Sequence, residues 1–124
     1  MYRESAAVSS RPRSTPSWAV RVVDHDERVA KHRVLALILD EHNLTEMARH
    51  GVFAAEVVQV IGNRHITVPN PRGELGGILL IGKTDGGRVL MIPLAPTDDP
   101  TTWRPATAFD ASRHQRAVFR RRAR

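Results

Sequence analysis

GILLIGKTDGGRVLMIPLA, residues Gly77–Ala95, is the stretch that decides the fold. Two apolar runs, Ile78–Ile81 and Val89–Leu94, flank Lys83-Thr84-Asp85-Gly86-Gly87-Arg88. Asp85-Gly86 predicts a tight primed turn, because Gly supplies positive φ without steric cost. The runs are dense in Ile, Leu and Val, which suits a strand pair buried on at least one face. A cation sits at each mouth of the turn, so the hairpin combines a core with a positive rim.

Working outward, the preceding chain supplies a strand and two helices. Val34–Leu39 (VLALIL) reads as the first strand of a domain. Asn43 reads as the N-cap of a short helix, with Glu46 three residues on as in a capping box. Leu44, Met47 and Ala48 share one helix face. Arg49 and His50 fall in its last turn, where cations suit the dipole, and Gly51 suits C′. A second helix spans Ala54–Ile61, with Val57, Val58 and Ile61 as its buried stripe and Gly62-Asn63 at its end. His65–Pro69 alternates as a strand does, and Asn70-Pro71-Arg72-Gly73 forms a turn.

After the hairpin, Thr97-Asp98-Asp99-Pro100 is a polar loop and Thr102–Phe109 a last strand. Pro105 cannot donate to a ladder, so that strand is an edge or is bulged there. Asp110 caps a final helix from Ala111 to about Arg122, whose narrow stripe is Ala111, Val118 and Phe119. The rest of that helix is basic. The order β-α-α-β-β-β-β-α predicts an α+β domain with a mostly antiparallel sheet of four or five strands.

Residues 1–17 carry Ser, Pro and Arg without apolar period and read as a disordered arm. Trp18–Val23 suggests a short strand or anchor. Asp24–Arg33 is charged, and its His25, Asp26 and His32 match no metal-ligand spacing. The expected division is therefore a basic arm, 1–33, and a domain, 34–124.

With 124 residues, the chain holds one domain, and a domain of about 90 residues buries roughly two-thirds of its unfolded surface. There is no cysteine. That excludes disulfides, thiolate metal sites and Cys nucleophiles, and fits a reducing cytoplasm. No apolar run approaches the roughly 18 residues of a membrane span. The net charge of +6 and a pI of about 11.2 favour a polyanionic partner. Aromatic content is 5%, against a base-stacking platform. Lys31 and Lys83 are the only lysines, so charge rests on Arg, whose planar fork matches phosphate or carboxylate.

DEHNLTEMARHGV (Asp40–Val52), GKTDGGRVL (Gly82–Leu90) and WRPATAFDAS (Trp103–Ser112) resemble, in order and spacing, the BrnT toxin family of type II toxin–antitoxin pairs. The resemblance covers about residues 38–121. It implies a RelE-like fold and metal-independent endoribonuclease activity that inhibits translation, without a cofactor. It further implies a small DNA-binding antitoxin as partner, with operator DNA reached only through that antitoxin, no membrane, and a cytoplasmic location. Asp40, Glu41, Asn43, His50-Gly51-Val52, Glu56, Gly82-Lys83-Thr84, Gly87-Arg88, Arg104, Thr107-Ala108 and Arg116 match the family pattern. Leu39, Glu46, Phe109, Gln115 and Phe119 depart from it, where the family often has Trp, Lys, Arg, Glu and Tyr. These departures set a second reading beside the first: a catalytically impaired RelE-like binding module that acts through a partner protein or operator DNA.

RNA cleavage of this kind needs a base for the 2′-hydroxyl, an acid for the 5′-oxygen and cations for the phosphorane. Histidine is the side chain whose ordinary pKa lies nearest neutrality. His50 leads as the proton-transfer residue; it could instead simply end its helix. His42 ranks second. Glu46, at i, i+4 from His50, could pair with it as acid and base or serve only the cap. Lys83 and Arg104 complete the candidate catalytic set. With Arg88 they form a phosphate cradle if they share a face, and a solvated rim if not. Arg88, Arg49, Arg113 and Arg116 are the candidate RNA-binding residues. The terminal arginines suit RNA, an acidic antitoxin surface or a solvated tail equally.

Overall fold

The computed structural model describes residues 6–9, 32–72 and 76–123. Its elements are β1 (Ala6–Ser9), β2 (Ala36–Leu39), α1 (Glu41–Ala48), α2 (Ala54–Gly62), β3 (His65–Pro69), β4 (Ile78–Lys83), β5 (Val89–Pro96), β6 (Thr102–Pro105), β7 (Phe109–Asp110) and α3 (Arg113–Arg122). The strands form one sheet in the order β1-β2-β6-β5-β4-β3, with β7 also paired to β5. All pairings are antiparallel except β2 with β6. The protein is α+β, as its element order predicts, but its sheet has seven described strands rather than four or five, because Ala6–Ser9 adds β1 and the last strand is split into β6 and β7.

The hairpin is the centre of this sheet, and it is buried on both faces. Side chains of a strand alternate between faces. Ile78, Leu80, Leu90, Ile92 and Leu94 join a core with Leu37, Met47, Val57, Val60, Ile61 and Trp103, which lies under α1 and α2. Ile81 and Met91 join a second core with Ile66, Ala111, Phe119 and Ala123, under α3. The unbroken apolar runs are therefore the mark of a strand pair covered twice.

The turn departs from the expected one. Gly87 N donates to Thr84 O (3.0 Å), Thr84 N donates to Arg88 O (2.8 Å), and positive φ falls on Gly87 (93°) rather than Gly86. This is a turn closed by a glycine bulge. Lys83 consequently pairs with Val89, whereas a two-residue turn on Asp85-Gly86 would pair it with Arg88. A slip of one residue sends a side chain to the other face.

α1 is capped by Asp40, not by Asn43. Asp40 is extended (φ −135°, ψ 177°), and its carboxylate accepts from Asn43 N at 2.9 Å. Asn43 is the third helical residue and is buried at 2% exposure. Its Oδ1 accepts from Asp40 N (2.9 Å) and its Nδ2 donates to Ile38 O (2.9 Å). The amide thus ties α1 to the end of β2. Asn43→Ala should lower unfolding free energy by about 1–3 kcal/mol, because it strands buried partners; a lower urea midpoint with unchanged slope would show it.

The helix closes as the sequence suggests. Val52 N donates to Met47 O (3.0 Å) and Gly51 N to Ala48 O (2.9 Å), with Gly51 at φ 72°; these are the paired bonds of a Schellman closure. His50 lies in that closing turn, beyond the helix proper. In α2 the buried stripe is Val57, Val60 and Ile61. Val58, expected in it, is exposed, as is Phe53 at 66%.

The last strand is interrupted. β5 pairs Leu94 with Pro105 but Met91 with Phe109, so one extra residue has entered between β6 and β7. That is the bulge anticipated near Pro105. β6 is not an edge, because β2 pairs Ala36 with Thr102 and Leu37 with Trp103. The final helix is capped by Ser112, whose hydroxyl accepts from Gln115 N (3.1 Å) while Gln115 Oε1 accepts from Ser112 N (2.8 Å). Asp110, expected as this cap, belongs to β7 instead.

Within the stretch read as a disordered arm, Ala6–Ser9 is a strand antiparallel to β2. The expected strand or anchor at Trp18–Val23 lies outside the described residues, as do His25 and Asp26. His32 packs edge-on against Trp103 with ring centroids 5.6 Å apart. No helix among the described residues is long and apolar enough to cross a membrane.

Candidate functional site

The matching residues His50-Gly51, Glu56, Arg88 and Arg116 come together where the α1–α2 connection meets β5 and β7. Arg88 is the hub. Its Nη1 donates to Glu56 Oε1 and Oε2 (3.1 Å each) and to Gly51 O (3.0 Å). Its Nε donates to Asp110 Oδ1 (2.7 Å) and its Nη2 to Asp110 Oδ2 (3.3 Å). The fork on Asp110 is the bidentate geometry a guanidinium favours. Thr84, buried, accepts from Arg88 N through its hydroxyl (3.1 Å) and fixes the start of the strand.

Glu56 is the third residue of α2, and its Oε1 also accepts from Phe53 N (3.1 Å), which satisfies an open N–H at the helix start. Oε2 accepts from Arg88 Nη1. His50 is exposed and sits beside the Gly51 carbonyl that Arg88 binds. Its ring meets Phe109 edge-on at 5.4 Å. Arg116 Nη1 donates to Ala111 O (2.8 Å).

The hydrogen bond from Arg88 holds the Asp110 carboxyl below the ordinary carboxylate range, and the charge of Arg116 adds to this. Reciprocally, the bond to Asp110 raises the Arg88 guanidinium further. A carboxyl lowered on folding contributes stability above its unfolded pKa of about 4, and that contribution is lost as pH falls through the folded value. Asp110 is 64% exposed, so the effect is small. The gap in urea midpoint between the protein and Asp110→Asn should be open at neutral pH and narrow as pH falls below the ordinary carboxylate range.

The other sequence candidates lie elsewhere. Lys83 and Arg88 do not converge: Lys83 borders a groove with Phe119 and Arg120 of α3, whereas Arg88 reaches α2 on the opposite face. Arg104 pairs with the Oδ2 of Asp40. It sits opposite Ala95, and Lys83 opposite Val89; six residues along β5 span about 20 Å. The three cations therefore do not share one phosphate cradle. Glu46 lies 3.9 Å from Arg49 and forms no pair with His50, because the chain leaves the helix before His50. Arg113 is exposed at the start of α3.

The departures from the family pattern have structural roles. Leu39 and Phe119 are buried in the two cores. Gln115 completes the α3 cap, and Phe109 covers one side of His50. Glu56 and Asp110 are the residues that sequence reasoning passed over as site members. Their link to Arg88 spans 32 and 22 positions, and no local spacing announces it. Among the described residues no group of three His, Asp or Glu side chains could hold a metal ion.

No protein-family model, curated protein or solved structure matches this chain.

Proposed function

We propose that this chain is a BrnT-like toxin with a RelE-like fold. On this reading it is a metal-independent endoribonuclease that cleaves RNA, inhibits translation and is neutralised by a cognate antitoxin. The single observation that carries this is the cluster at Arg88: an exposed histidine, a carboxylate and a guanidinium, all among the residues that carry the resemblance. Glu56 Oε2 takes the proton of a 2′-hydroxyl, and the 2′-oxygen forms a bond to phosphorus. The bond from phosphorus to the 5′-oxygen breaks, and protonated His50 gives that oxygen its proton. Arg88 exchanges Asp110 for the phosphoryl oxygens as charge builds on them. The products are a 2′,3′-cyclic phosphate and a 5′-hydroxyl. Lys83, Arg104 and Glu46 stand apart from this cluster and take no part in this step.

Expression of the chain alone in a bacterial host tests the reading. Growth arrest with fragmented RNA, relieved by a co-expressed antitoxin, supports it. Unimpeded growth with intact RNA contradicts it.

A second reading has its own observation. Every donor nitrogen of Arg88 already faces Glu56, Asp110 or Gly51, and Arg88 and Arg116 balance the two carboxylates. A cluster so neutralised suits a binding module in which this centre is structural. Such a module binds a partner protein or operator DNA without cleaving RNA.

A further inference from the structure

Asn63, Arg64, Lys83, Phe119, Arg120 and Ala123 line a groove of about 320 Å³ on the α3 side of the sheet, within the roughly 300–1,000 Å³ of small-ligand sites. It is built by a close approach. A Cβ on Gly82 would lie 2.8 Å from His65 Cβ and 2.8 Å from Val60 Cγ1, so glycine there lets β4 run tight against the α2–β3 connection. That approach carries Lys83 to Asn63 and Arg64. Asn63 Nδ2 donates to Lys83 O (3.0 Å) and to Asp85 Oδ1 (2.9 Å). Arg64 Nη1 donates to Ala123 O, which uses one of five guanidinium donors.

Lys83, Arg64 and Arg120 give the lining three positive charges and no carboxylate. None of the three forms an ion pair among the described residues. Three like charges around one groove repel each other, and a bound anion removes that repulsion. The Arg88 cluster, by contrast, carries its own counter-ions.

We propose that this groove is a phosphate-binding site, separate from the Arg88 cluster and on the other face of the same hairpin. It takes a phosphate group borne by a nucleoside, either in an RNA strand or in a free nucleotide. The proposal does not require that the chain cleave RNA.

The test uses the full chain and three probes: inorganic phosphate, a nucleoside 5′-monophosphate, and a 2′-O-methyl RNA oligonucleotide that cannot be cleaved. Phosphate should raise the melting temperature above that in chloride of equal ionic strength. The double variant Lys83→Gln/Arg120→Gln should lose this rise. It should also weaken the tighter nucleic-acid ligand by about tenfold, with the log–log salt slope for the oligonucleotide smaller by about 1.4. Arg72→Gln, in the exposed turn beyond β3, removes one positive charge away from the groove and is the surface-charge control. Binding of the oligonucleotide but not the nucleotide assigns the groove to strand phosphates, and the reverse assigns it to a free nucleotide. Binding of neither, or an equal loss in Arg72→Gln, overturns the proposal. Groove binding without RNA cleavage rejects the nuclease and keeps the groove; cleavage without groove binding does the reverse.

Discussion

Glu56→Gln should slow RNA cleavage by about 10²–10⁴-fold, the usual worth of a positioned proton-transfer group, with the fold retained. The substitution separates chemistry from structure. Glu56 Oε1 accepts from Phe53 N at the start of α2, and both oxygens accept from Arg88. A glutamine amide oxygen can still accept from Phe53 N and Arg88, but it cannot take a proton from a 2′-hydroxyl. His50→Gln should give a loss of similar size, since no amide can protonate the departing 5′-oxygen. His50 is exposed and its ring meets Phe109 edge-on, so its removal should leave stability within about 0.5 kcal/mol. Circular dichroism and a urea midpoint on both proteins show that the loss is chemical.

The second large effect is on stability. Gly82→Ala should lower unfolding free energy by about 1–3 kcal/mol, the cost of overpacking a filled site. The new methyl meets His65 Cβ and Val60 Cγ1 at 2.8 Å each. Neither can retreat easily. Val60 is fully buried in the core under α2. The His65 ring is held by Nδ1 contacts to Val60 O (3.2 Å) and Asn63 O (3.0 Å). The relief available is a shift of β4 away from the α2–β3 connection, which would carry Lys83 out of the groove. The same variant should therefore bind phosphate more weakly. Paired urea midpoints and phosphate-dependent melting measure both effects.

The fold was legible in the hairpin because its physics is local. Ile78–Ile81 and Val89–Leu94 are apolar and include the β-branched Ile78, Ile81, Val89 and Ile92, and the intervening glycines permit reversal. Gly51 was legible for the same reason, since a helix end followed by glycine points to left-handed closure. The caps were harder. Asp40, Asn43, Asp110 and Ser112 are all capable cap residues, and the extent of the neighbouring strand decides which one is used. β2 runs to Leu39, so Asp40 is left in extended backbone at the helix start; β7 holds Asp110, so Ser112 caps instead.

The candidate site was only partly legible. His50 and Arg88 could be singled out by residue type and by resemblance. Their neighbours could not. Whether Lys83 and Arg88 face together depends on one residue in the turn: positive φ at Gly87 rather than Gly86 shifts the pairing and sends Arg88 to the α2 face. Asp110 reaches Arg88 only because the bulge between Pro105 and Phe109 resets the register of β7 against β5. Arg104 meets Asp40 across 64 positions. Such long-range pairings follow from register, which composition does not carry.

The most direct measurement is end-group analysis of RNA incubated with the purified full chain in excess chelator, beside its Glu56→Gln variant. Fragments with 2′,3′-cyclic phosphate and 5′-hydroxyl ends are expected from the protein, and essentially intact RNA from the variant. Intact RNA with both proteins, or equal cleavage by both, would contradict it.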